Sequence, residues 1–138
     1  MLTVTKSIKF DAAHILTNHQ GLCKNLHGHT YRVEVGVMQS PDDTSDMVRD
    51  FKDLKRLGEE VIVSHFDHAF MYDSTSPGES EIAAVVEKHG MRTAALPFRS
   101  TAENLARHFF NLLSPHLDGL RFIRVWETQD SCAEYSKG

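Results

Sequence analysis

Leu2-Thr3-Val4-Thr5-Lys6-Ser7-Ile8-Lys9-Phe10 alternates apolar and polar side chains, and His27-Gly28-His29-Thr30-Tyr31-Arg32-Val33-Glu34-Val35-Gly36-Val37 answers it with the same rhythm from Tyr31 onward. Successive side chains on a strand point to opposite faces, so each stretch has one face to bury and one to leave in water. Lys6 is the one charged residue on the buried parity of the first strand. Asp11-Ala12-Ala13-His14 reads as the exit from that strand, and Asn18 to Asn25 as a loop around Gly21. Ser40-Pro41-Asp42-Asp43 ends the second strand in a turn, and Met47-Val48 reads as a short return strand.

Two helices follow from spacing. Asp50 is placed as an N-cap with Asp53 in the first turn, and Phe51, Leu54, Leu57, Val61 and Ile62 form one apolar stripe to about Ser64, weakened at Gly58. Ser100-Thr101-Ala102-Glu103 reads as a capping box that opens a helix with Leu105, Ala106, Phe109, Leu112 and Leu113 inward. Between them, Tyr72 to Gly78 is rich in turn residues, Ile82 to Glu87 predicts a short helix stopped by Gly90, and Met91 to Phe98 a brief extended segment. Pro115 and Gly119 turn the chain into a strand from Leu120 to Thr128, apolar on both parities, and Ala133 to Ser136 forms a last short strand. Strands segregated from helices predict an α+β fold: an antiparallel sheet of four strands with two main helices on one face. The other face then needs cover, which predicts a homo-oligomer.

The 138 residues suit one domain spanning 1–138, with no internal repeat. A net charge of −4 argues against a nucleic-acid binder held by phosphate contacts. No apolar run is long enough to span a bilayer, and Met1 to Lys6 shows no signal-peptide core, so the expected compartment is the cytoplasm. Two cysteines, Cys23 and Cys132, are too few for a disulfide framework and are expected as free thiols.

The chemistry concentrates in Cys23-Lys24-Asn25-Leu26-His27-Gly28-His29. His27 and His29 share a strand parity, so their rings project from one face and can share an ion. If the first two strands pair antiparallel, His14 at the end of one comes beside them. Three neutral imidazoles suit zinc and leave a fourth coordination place open, as in catalytic rather than structural sites. Cys23 admits three roles: a fourth ligand closing a structural site, a buried thiol, or a base or nucleophile beside the metal, where a cation favours the thiolate. Glu127 stands in an apolar run, and a buried carboxylate needs a partner. Asp67-His68 is an adjacent carboxylate–imidazole pair, also readable as a loop Asp and a surface His. His19, His65, His89, His108 and His116 are expected at the surface or an interface.

Phe10-Asp11-Ala12-Ala13-His14, the C-x-x-x-H-x-H of Cys23 to His29, Phe66-Asp67-His68, Ser100-Thr101-Ala102-Glu103-Asn104 and Trp126-Glu127-Thr128 together resemble the motifs of the 6-pyruvoyl-tetrahydropterin synthase superfamily, in family order and over nearly the whole chain. The three-residue gap before H-x-H is similar to that of the bacterial 6-carboxy-5,6,7,8-tetrahydropterin synthases of queuosine biosynthesis.

The resemblance implies a tunnelling fold, or T-fold, in which subunit sheets join into a barrel as a trimer or hexamer with active sites between subunits. It implies Zn2+ on His14, His27 and His29. It implies a pterin substrate, 7,8-dihydroneopterin triphosphate, cleaved to 6-carboxy-tetrahydropterin, acetaldehyde and triphosphate. Cys23 would move the proton, Asp67 and His68 would act as a coupled pair, and Glu127 would accept two pterin N–H groups. Thr101 and Glu103 would contact the pterin besides capping their helix, and Lys24 and Arg49 are candidates for the triphosphate. The alternatives are a triphosphate-eliminating 6-pyruvoyl-tetrahydropterin synthase and, in another class, a non-catalytic module whose three histidines and Cys23 close a structural zinc site. The chain departs from the family after Asp67-His68, where Ala69-Phe70-Met71-Tyr72-Asp73 leads into a longer segment before the helix cap.

Overall fold

The computed structural model describes residues 1–17 and 20–137, so His19 lies outside the described residues. Strands β1 (Leu2–His14) and β2 (His27–Gln39) pair antiparallel over their full length, from Leu2 opposite Gln39 to His14 opposite His27. Strand β1 does not end near Phe10 as expected. Ala12 and His14 continue the buried parity of Ile8 and Phe10, and pairing with Gly28 and His27 holds Ala13 and His14 extended. The alternation thus runs four residues further than the small side chains of Ala12 and Ala13 suggested.

Four further strands complete the sheet: β3 (Ala69–Asp73), β4 (Thr93–Leu96), β5 (Leu120–Trp126) and β6 (Cys132–Ser136), in the order β4-β3-β1-β2-β5-β6. The expected four-stranded antiparallel sheet is its β1-β2-β5-β6 portion. Strands β3 and β4 enlarge it to six, and both run parallel, β3 to β1 and β4 to β3. Ala69–Asp73 is a short apolar run buried on both faces, a pattern without the alternation that marks an exposed-face strand. Met47-Val48 is not a strand. Asp42 instead accepts hydrogen bonds from the backbone of Thr44 (2.8 Å) and Ser45 (3.0 Å), folding that stretch into a turn.

Helix α1 (Phe51–Gly58) begins as expected, with Asp50 accepting from the Lys52 amide at 2.9 Å. It continues through a π-helical turn (Glu59–Val63) into α2 (Ser64–Phe66). Helix α3 (Pro77–Lys88) is longer than the expected Ile82–Glu87. Ser76 caps it, Pro77 opens it, and Gly90 ends it at φ +75°. Helix α4 (Ala102–Leu113) is capped by Thr101, which accepts from Asn104 at 3.1 Å. The Ser100–Glu103 capping box is therefore shifted by one residue, and Ser100 is released for another contact.

Helices α1 and α4 share one face of the sheet. There Leu54, Leu105 and Phe109 pack on Phe10, Val33 and Ile123 in the main core. Phe10 stacks on Tyr31, its ladder partner, at 5.1 Å and 13°, and Phe109 meets it edge-on at 6.0 Å. Phe70 and Tyr72 alternate with Met71 on β3, and Met71 belongs to the main core. Phe70 and Tyr72 therefore face the opposite side, where Ala83 and Val86 of α3 cover them.

On that opposite side Gly36 sits beneath Phe122, its β5 partner, at a register shift in the ladder. A Cβ on Gly36 would lie 2.2 Å from the Phe122 ring. Gly36→Ala should lower stability by about 1–3 kcal/mol through overpacking. Combining it with Phe122→Leu should cost less than the sum of the two single changes. Urea midpoints at fixed protomer concentration measure both, and strict additivity would show that ring and glycine are not in contact.

Candidate metal centre and pterin site

The full-length register of β1 and β2 sets His14 opposite His27 and Ala12 opposite His29. Since His14, His27 and His29 all lie on the helix-covered parity, one ligand nitrogen of each falls within 4.8 Å of the others. The expected trio is assembled by the first two strands alone.

Hydrogen bonds determine which nitrogens point inward. His14 is fully buried, and its Nδ1 lies 2.8 Å from the Ser100 carbonyl and 3.2 Å from Ser100 Oγ. A carbonyl only accepts, so Nδ1 carries the proton and Nε2 a lone pair. His27 Nδ1 likewise donates to the Asn25 carbonyl at 2.7 Å. The two Nε2 atoms then face each other at 3.1 Å with a lone pair on each. Buried His29 Nε2 has no hydrogen-bond partner among the described residues. Two lone pairs facing each other beside an unpartnered third imidazole nitrogen is an arrangement that a cation relieves, and neutral imidazole ligands suit zinc.

Burial lowers the His14 pKa from 6.5 to about 4; the Ser100 carbonyl opposes the shift, and His27 and His29 add to it. Burial, with His27 close by, also lowers that of His29. Both effects favour the neutral rings that a metal requires.

Cys23 is half-buried in a short 3-10 turn (Leu22–Lys24), and its sulfur is not among the donor atoms that converge with the three imidazoles. Its carbonyl accepts from the Leu16 amide at 2.9 Å, tying the loop to the end of β1. Glu127 lies one residue beyond β5, half-buried. Burial first, and then the charge of Glu103, raise its pKa, while His27 pulls it down. Glu127, Glu103 and His27 are thus electrostatic neighbours. Tyr31 is fully buried, its hydroxyl has no hydrogen-bond partner among the described residues, and burial and Glu127 raise its pKa. Thr101 is engaged as the α4 cap and Glu103 is exposed in the first turn. Lys24 is exposed, and Arg49 pairs loosely with Asp53 at 3.9 Å.

Asp67 and His68 do pair, with His68 Nδ1 3.0 Å from Asp67 Oδ1. They gather with Asp11, whose amide donates to the same Asp67 oxygen at 3.0 Å. That amide, ahead of His68 and Arg92, is the leading cause that holds the Asp67 carboxyl below its usual range. Asp11 has the parity opposite to His14, and Thr30, which donates to Asp11 at 2.5 Å, the parity opposite to His29. Within one chain the pair is therefore set on the other side of the sheet from the imidazoles. Through His68 it borders a cavity of about 730 Å³ whose lining also includes Asp11, His29, Thr30, Phe70 and Arg92.

Three contributors are not apparent in the motifs: Ser100, the Asn25 carbonyl, and Asp11. Ser100 reads as a cap, a backbone carbonyl leaves no trace in a sequence, and Asp11 reads only as part of the exit from the first strand. His65, His89 and His116 are exposed, and half-buried His108 packs among Phe66, Phe98 and Phe109. Both cysteines are free, with Cys132 exposed. Among the described residues no helix is long and apolar enough to cross a membrane.

The chain is 44% identical over 142 residues to a 6-carboxy-5,6,7,8-tetrahydropterin synthase from Haemophilus influenzae, covering 99% of this chain and all (100%) of that protein. It is 34% identical over 158 residues to one of the same name from Aquifex aeolicus, covering 97% of each. Among solved structures, an uncharacterized protein from Wolinella succinogenes superposes with a TM-score of 0.82 at 18% identity, over 99% of this chain and 98% of that one. The 6-pyruvoyl tetrahydropterin synthase of Caenorhabditis elegans superposes with a TM-score of 0.72 at 25% identity, over 99% and 96%. The family model described as 6-pyruvoyl tetrahydropterin synthase matches residues 3–138. From the histidine-bearing hairpin to the last strand, the chain belongs to the 6-pyruvoyl tetrahydropterin synthase family.

Proposed function

We propose that this chain is a zinc-dependent 6-carboxy-5,6,7,8-tetrahydropterin synthase that converts 7,8-dihydroneopterin triphosphate to 6-carboxy-tetrahydropterin, acetaldehyde and triphosphate, in queuosine biosynthesis. The observation that carries it is the convergence of His14, His27 and His29 nitrogens, with His29 Nε2 unpartnered among the described residues, in a chain 44% identical to a synthase of that name.

His14, His27 and His29 would hold the ion. When bound, zinc would supply Lewis acidity toward side-chain oxygens of the substrate and so acidify the adjacent C–H. Cys23 would take or relay that proton. His68 would exchange protons with the substrate, its tautomer set by Asp67, which the Asp11 amide keeps ionised and oriented. Glu127 is desolvated and set against Glu103, with His27 opposing the upward pKa shift, and two N–H groups of a pterin would satisfy both its oxygens. Thr101 and Glu103, at the same helix end, would border the ring. Since Asp67 and His68 lie across the sheet from the imidazoles, a complete site would draw the pair from a second copy of the chain, in keeping with a homo-oligomer whose sheets close a barrel.

The likeness to the Caenorhabditis elegans enzyme favours a second reading, triphosphate elimination as in a 6-pyruvoyl tetrahydropterin synthase. Incubation with dihydroneopterin triphosphate separates the two, because only the first releases acetaldehyde. Pyruvoyl product without acetaldehyde would overturn the primary reading.

Cys23→Ala, His68→Ala and Glu127→Ala should each cut turnover by about 10²-fold or more while the protein keeps its zinc. Expulsion of zinc from Cys23→Ala would favour a closed structural site instead. Wild-type rates in all three would remove the roles assigned above.

His14 also gives the metal-free protein a dependence on pH. Its folded pKa, about 4, lies below the ordinary 6.5, so the unfolded chain binds the extra proton between those values. The stability associated with the neutral ring is present above about pH 6.5 and is lost as pH falls toward 4. Between pH 7 and 5 the loss should be about 2 kcal/mol, from 1.4 kcal/mol per pH unit. Urea unfolding in chelator at both pH values measures it, and His14→Gln should flatten that slope. An unchanged slope would place the titration elsewhere.

A further inference from the structure

The backbone of His68 lies in the left-handed region, at φ +60°. A side chain without special reason to be there leaves that region, so the surroundings must hold it. Two of the restraints come from the core of the fold: the His68 amide donates to the Asp11 carbonyl at 2.6 Å, and the Asp67 amide donates to the Val63 carbonyl at 2.9 Å. The third comes from elsewhere. Arg92 donates through Nη1 to the Asp67 carbonyl at 3.1 Å and through Nη2 to the Ser64 carbonyl.

These carbonyls belong to the turn that closes the α1–α2 helix. The last carbonyls of a helix lack internal partners and carry partial negative charge, so a guanidinium fork is well matched to them. Arg92 also lies near enough to Asp67 to favour its ionised form. Its own place is set by the sheet, since its carbonyl accepts from the Phe70 amide at 3.0 Å where β3 and β4 meet. Arg92 immediately precedes β4, in the segment that begins after Asp73 and runs through α3.

We infer that Arg92 is a positioning residue: its two-carbonyl clamp holds the Asp67-His68 turn in the conformation that presents the His68 ring to substrate. The β3–α3–β4 segment thereby acts on the reaction without touching the reacting atoms. The inference rests on the reading of His68 as a proton-exchanging group. The interaction is through backbone carbonyls, so a lysine can restore charge but not the fork.

The test uses the zinc-loaded oligomer and four variants: Arg92→Ala, Arg92→Lys, His68→Ala and the double variant His68→Ala/Arg92→Ala. Steady-state kinetics with dihydroneopterin triphosphate are read beside zinc content and assembly size. Arg92→Ala should lower kcat by about tenfold or more, with KM changed less than about twofold. Arg92→Lys should recover part of the loss, and is read by the same criteria if Arg92→Ala does not assemble. In the His68→Ala background the same change should alter the residual rate by less than about twofold, because the ring being positioned is gone. An equal loss in both backgrounds, or wild-type kcat in Arg92→Ala while His68→Ala is impaired, overturns the inference alone. Wild-type turnover in His68→Ala overturns it together with the reading of the pair.

Discussion

The register between β1 and β2 is the constraint on which the site depends. Thirteen consecutive pairings carry it from Leu2–Gln39 to His14–His27. A slip by one residue would turn every side chain to the other face. It would carry the imidazoles to the solvent side and the Phe10–Tyr31 stack out of the core with them. Packing and ligand geometry are therefore not independent in this hairpin. The aromatic contacts that stabilise the main core also select the one register in which three nitrogens meet.

The site is assembled at a thermodynamic loss that the rest of the fold offsets. His14 is neutral because it is dry, Tyr31 buries a hydroxyl with no partner among the described residues, and Glu127 is desolvated beside Glu103. Each would be relieved by leaving the interior or by meeting a ligand. The compensation is the apolar layer between α1, α4 and the sheet, where Phe109, Leu105 and Ile123 are fully buried. The arrangement is one of rigid support and unsatisfied groups at its edge, as expected where binding is to supply the missing partners.

Much of this was legible in the residues. Alternation located β1 and β2, and helical spacing located α1 and α4, because both signals report one buried face. The metal trio followed from strand parity for His27 and His29 and from antiparallel pairing of the first two strands for His14. The Asp50 cap was visible since an acidic residue stood immediately before an apolar stripe. Other features lay below that level of signal. Strand β3 is buried on both faces, so nothing alternates. The end of β1 was disguised by two alanines. Thr101 rather than Ser100 caps α4, a choice that depends on His14 competing for the Ser100 carbonyl and hydroxyl, a contact 86 residues away in the chain. Arg92 could not be connected to Asp67 before the parallel β3–β4 pairing was known. The family motifs named the Asp67-His68 pair, whereas its placement across the sheet from the imidazoles emerged only from the combination of strand parity with the Asp11 contact.

The tautomer lock on His14 also bears on how an ion enters. With Nδ1 committed to the Ser100 carbonyl, the ring has neither to rotate nor to shed a proton before it can coordinate, and its low pKa keeps this so through the mildly acidic range. Capture at this ligand is accordingly uncoupled from proton release across the ordinary imidazole range. A centre of this kind behaves less like a buffer than like a socket already cut to shape.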